Sequence, residues 1–196
     1  MPSAPLRLEL PALPAGEPNG LTADVAEAIT ERLRADTAER RALGCTFIRL
    51  VEHAVREYRL AAAESAQEGR SEPLPGSIHY LRAASGLESC MASMHRAAQL
   101  LRALEGAGLA APARRSHGVR SELALVALAG MRTATQNLDK RVLAHQGGSG
   151  QIAPVTRDGD LCIANASVRM ELLVTWLREL EETAAQLLSS PAEPAR

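Results

Sequence analysis

Apolar residues recur along this chain at steps of three and four, the period of an α-helix with one face turned toward a core. Ile48, Val51, Val55 and Tyr58 fall on one such stripe, inside a periodic segment running from about residue 37 to residue 67. Leu81, Ala84, Leu87, Met91, Met94, Ala98 and Leu101 make a second stripe between residues 77 and 105. A third helix is predicted from Val119 to His145, with Leu123, Val126, Ala127, Gly130, Ala134 and Leu138 on one face. The last is predicted from a Ser167 cap to Leu188, its apolar face carrying Leu172, Leu173, Trp176, Leu177, Leu180 and Leu187. A shorter helix, Ala23–Arg34, is expected behind Thr22 as N-cap.

Glycine and proline punctuate these segments. Residues 1–20 hold five prolines and cannot sustain a helix, so they are expected to form an extended or mobile arm. Gly69–Gly76 breaks the chain between the first two long helices, and Gly106, Gly108 and Pro112 end the second. After Gln146-Gly147-Gly148-Ser149-Gly150, the pair Asp158-Gly159 sits between Ile152–Thr156 and Leu161–Ile163, the signature of one short β-hairpin. The expected architecture is all-α: one domain over residues 21–188, an up-and-down bundle of about four to five helices with a single hairpin before the last. Residues 189–196 are expected to be a disordered tail.

Composition changes this picture little. Hydrophobic residues make up 46% of the 196 residues but aromatic ones only 2%, so Ala, Leu and Val must build the core, which suits close helix packing. With 22 basic against 23 acidic residues there is no global pull toward nucleic acid or membrane, and any phosphate-binding surface has to be local. No window approaches the roughly 18 consecutive apolar residues of a membrane span, so no membrane partner and a cytoplasmic location are expected. Cys45, Cys90 and Cys162 are widely spaced and read as small buried hydrophobes; no metal and no cofactor are expected.

The signatures of a phosphate loop, a zinc protease or a serine hydrolase are all absent. Polar residues at positions where an apolar bundle would not ordinarily spend them are clearest in Met131-Arg132-Thr133-Ala134-Thr135-Gln136-Asn137-Leu138-Asp139-Lys140-Arg141-Val142. It resembles the HEPN family of helical-bundle proteins, whose motif reads approximately R-N-x-x-x-H followed by an acidic helical turn. Arg132 falls on the Arg, Thr133 on the usual Asn, Asn137 on the His and Asp139 in the acidic turn. Residues 81–101 are similar to the preceding helix of small members, and the likeness spans about residues 40–188.

In active members the Arg and His lie near a dimer interface and cleave RNA without metal. The resemblance therefore implies a homodimer, RNA as ligand and a role in toxin–antitoxin or other defence systems. An Asn cannot exchange a proton at useful pKa, so Asn137 implies a binding or regulatory module with a degenerate catalytic pair. Two alternatives stand beside it: a metal-independent endoribonuclease that uses Arg132, and a structural helical adaptor for a protein partner.

Supporting residues follow from the chemistry. Glu88 interrupts the second stripe, and an inward carboxylate needs a partner, which would be Arg132. Arg114, Arg115 and Arg120 lead into the Arg132 helix and, with Arg141, could extend a phosphate-binding surface. Arg141 and His145 share a helix face but are one residue closer than the motif requires. His53 and His95 are expected on helix surfaces or core edges.

Overall fold

The computed structural model describes residues 8–13, 37–68, 78–108, 110, 118, 119, 121–137 and 154–189. Four helices dominate: α1 Ala38–Glu68, α2 Ile78–Gly106, α3 Glu122–Gln136 and α4 Met170–Ser189. A small antiparallel sheet precedes α4, with β1 Val155–Arg157, β2 Asp160–Ile163 and β3 Ala166–Arg169 in that spatial order. The expected helix Ala23–Arg34 lies outside the described residues.

Helices α1 and α2 pack most extensively and run antiparallel, since Gly86 meets Glu57 and Ala61 while His79 meets Glu64 farther along α1. Their seam is built from small side chains. Ala54, Ala61 and Ala83 are fully buried, and a Cβ on Gly86 would stand 3.1 Å from the Glu57 carbonyl oxygen and 3.2 Å from the Ala61 Cβ. The two backbones approach closely because Gly86 has no side chain. Phe47, Tyr58, Leu87, Met91, Leu101 and Trp176 fill the rest of the core.

Both tyrosines are buried, and each donates its hydroxyl to a proline carbonyl: Tyr58 to Pro11 at 2.8 Å and Tyr80 to Pro154 at 2.8 Å. Residues 8–13, part of the expected arm, have no regular secondary structure but pack closely on the helices. Leu8 is buried and its carbonyl accepts from Ser65 Oγ, while the Glu9 N–H donates to Thr156 Oγ1 at 2.8 Å.

Several expectations need correction. The predicted hairpin gains a third strand, because Ser167 pairs with Cys162 in β3 and does not cap the last helix, which begins at Met170. The first turn carries positive φ at Asp158 and Gly159, as the sequence suggests; the second turns at Ala164 with φ 52°, a residue type that gives no such signal. On α3 the buried residues are Ala124, Leu128, Met131 and Ala134, whereas Leu123 and Val126 are 63% and 64% exposed. That helix is apolar nearly all round, so two stripes at helical spacing compete and packing chooses the one with Met131. Leu81 is likewise exposed, and so is Cys45, although Cys90 is buried.

Candidate functional site

Helix α3 starts under firm control. Ser121 adopts extended backbone and its hydroxyl accepts the Ala124 N–H at 3.1 Å, satisfying one of the free donors of the first turn. Just before it, the Val119 N–H donates to Glu179 Oε2 of α4 at 2.7 Å. A Cβ on Gly118 would stand 2.6 Å from that same oxygen, so the glycine lets the Glu179 carboxylate sit against the turn in this position. These two contacts fix the entry of α3, and its packing on α2 and on strands β2 and β3 sets its rotation.

That rotation aims Arg132 at α2. Its Nη1 lies 3.4 Å from His95 Nδ1, and Gln99 Nε2 lies 3.5 Å from the other ring nitrogen of His95. An arginine has only donors, so His95 Nδ1 is the acceptor and the neutral ring carries its proton on Nε2. Turning the Gln99 amide brings its oxygen to that Nε2–H. The ring is only 6% exposed, and its pKa is lowered below 6.5, first by burial and second by the charge of Arg132. His95 is therefore neutral at pH 7 and holds the guanidinium through a lone pair, without cancelling its charge.

Arg132 is half-buried, and among the described residues its hydrogen-bonding partner is His95. A guanidinium removed from bulk water and held by a neutral ring keeps its attraction for an anion. Its remaining N–H groups can grip an oxyanion in bidentate fashion.

Asn137 stands at the end of α3, not within a longer helix as the sequence suggests. It is the C-cap, with φ −92° and ψ −3°, and its N–H donates to the Thr133 carbonyl at 3.1 Å. Asn is well suited to a helix end, where its amide competes for backbone groups. Glu88 lies half-buried on α2, seven residues before His95, so it shares nearly the same face about 10 Å away along the axis. Arg114, Arg115, Arg120, Asp139, Arg141 and His145 lie outside the described residues.

His95 and Gln99 belong to the site although neither is among the site residues expected from the sequence. Their spacing of four places both on one helix face, which was legible, but the approach of Arg132 from a helix 37 residues away was not. His53 lies on the surface of α1, where Arg56 Nη2 approaches its Nδ1 at 2.8 Å. Among the described residues no three His, Cys, Asp or Glu side chains converge as metal ligands, and no helix is long and apolar enough to cross a membrane. No family model, no curated protein and no solved structure matches this chain.

Proposed function

We propose that this protein is a HEPN-like helical binding or regulatory module, acting as a homodimer in an RNA-directed or toxin–antitoxin type of defence system, and that Arg132 grips a phosphate of RNA. The observation that carries the proposal is the half-buried guanidinium of Arg132, held by neutral His95 and given no carboxylate among the described residues. The mainly helical architecture, with Arg132 near the end of α3, is compatible with the resemblance in residues 131–142. A phosphate contact of this kind supplies affinity that depends on salt and is blind to base sequence.

A second reading is a metal-independent endoribonuclease in which His95, not residue 137, supplies the imidazole. The 3.4 Å approach of His95 to Arg132 favours it, because a neutral imidazole beside a phosphate-binding guanidinium can accept a proton from an attacking hydroxyl. A labelled RNA pool incubated with the protein in EDTA, with binding measured on the same samples, separates the two. Binding without cleavage, lost in Arg132→Ala, supports the module. Cleavage abolished by Arg132→Ala and by His95→Ala establishes the nuclease. Neither binding nor cleavage in wild type and Asn137→His contradicts both.

A further inference from the structure

We propose that the Arg132 site binds its oxyanion together with a proton, taken up at Nδ1 of His95. The inference rests on the reading of Arg132 as an anion site and adds the way that site is controlled. Its ground is the 3.4 Å separation between Arg132 Nη1 and His95 Nδ1. At that distance Nδ1 is an acceptor, because two donors at this separation would face each other.

A bound anion changes the balance. The guanidinium can turn its N–H groups to the anion's oxygens, leaving Nδ1 without its donor. A proton at Nδ1 then makes the ring a second donor aimed at the same place, so one oxygen can bridge the guanidinium and the imidazolium. The proton comes from solvent and forms an N–H bond on Nδ1; no other bond is made or broken. Gln99 can support both states: its amide nitrogen lies 3.5 Å from Nε2, and turned over the amide offers its oxygen to the Nε2–H whether or not Nδ1 is protonated.

The charged surroundings of His95 leave this coupling simple. From α3 the facing charged group is Arg132, and on α2 itself the side chain touching the ring is the neutral Gln99. Burial first and the charge of Arg132 second lower the pKa of the ring. Without an anion the guanidinium resists protonation of its neighbour. An anion between them, a singly charged diester or a sulfate dianion, reverses that, since it interacts with both cations at hydrogen-bond distance.

The ligand class is a phosphate or sulfate oxyanion, and two sources share that chemistry: the diester backbone of RNA and a free inorganic anion. Calorimetric titrations with sulfate, and with an oligoribonucleotide lacking terminal phosphates, distinguish them, and neither probe titrates between pH 5.5 and 8. The measurement is run at several pH values, in buffers of different ionisation enthalpy so that proton uptake is counted directly. The expected result is an affinity that rises as pH falls, by up to about tenfold per unit where one proton is taken up per anion. In His95→Gln the affinity should fall at low pH to the wild-type high-pH level or below, and the slope should vanish.

Proton NMR of the wild-type His95 ring provides a test that needs no variant: its titration midpoint should move upward on adding the probe. Response to the oligoribonucleotide assigns the site to the RNA backbone, and response to sulfate alone assigns it to a free anion; either supports proton-linked binding. Binding lost in Arg132→Ala but independent of pH, with an unmoved His95 midpoint, overturns the proton coupling and leaves the anion site standing. No binding of either probe at any pH overturns the anion reading together with the inference.

Discussion

Helix α2 meets its two long neighbours with opposite materials. Against α1 it presents Gly86 and Ala83, and the approach is so close that one extra methyl group would touch backbone. Against α3 it presents His95 and Gln99 to a guanidinium. The first seam gains its energy from dispersion and removal of apolar surface and is closed to ligands. The second holds a positive charge away from bulk water, which is unfavourable until an anion arrives. A bundle that keeps such a seam beside a well-packed one has divided its stability from its chemistry.

The largest expected effect breaks the packed seam. Leu87→Ala should cost about 2–5 kcal/mol in urea unfolding, whereas Leu123→Ala, on the exposed face of α3, should change stability by no more than about 0.5 kcal/mol. Comparable losses from the two would mean that the face of α3 is covered in solution. Gly86→Val should follow at about 1–3 kcal/mol, because branched methyls would be forced against the Glu57 carbonyl and Ala61. A neutral or stabilising result there would show that the helices are free to separate.

The polar seam should respond to pH. His95 is held neutral in the fold, while in the unfolded chain its imidazole takes up a proton near its ordinary pKa of 6.5. The unfolded state therefore binds more protons below that value, and the contribution to stability is complete above it and lost as pH falls through it. The urea midpoint of the anion-free protein should fall between pH 7.5 and pH 5 by more in wild type than in His95→Gln. Equal declines would remove His95 as the source. The effect on the stability of Arg132→Gln should also be small, within about 1 kcal/mol of wild type, since among the described residues this half-buried arginine is held by a neutral ring and not by an ion pair. A loss of several kcal/mol would make Arg132 a structural residue.

The same contrast explains what could be read from the sequence. The stripes of α1, α2 and α4 were legible because one face of each is apolar, so Tyr58, Leu87, Met91, Trp176 and Leu177 are in the core as expected. On α3 the pattern was ambiguous, since apolar residues surround the helix and Leu123 and Val126 compete with Ala124 and Leu128 for the inside. Strand β3 was hidden because Ala164 makes a turn without glycine, and Ser167, a good cap by type, was spent in a strand. Arg132 stood out by its motif, but its partner did not. Local periodicity says which side of a helix faces inward; it does not say which two inward residues from distant helices will touch.

The measurement that tests the central claim most directly is equilibrium binding of a labelled single-stranded RNA by wild type and Arg132→Ala across a range of salt concentrations. If Arg132 grips one phosphate, the variant should bind more weakly to every sequence, and the dependence of log affinity on log salt should become shallower by about one. Identical affinity and identical salt dependence in the two proteins would contradict the account and leave Arg132 as a structural neighbour of His95.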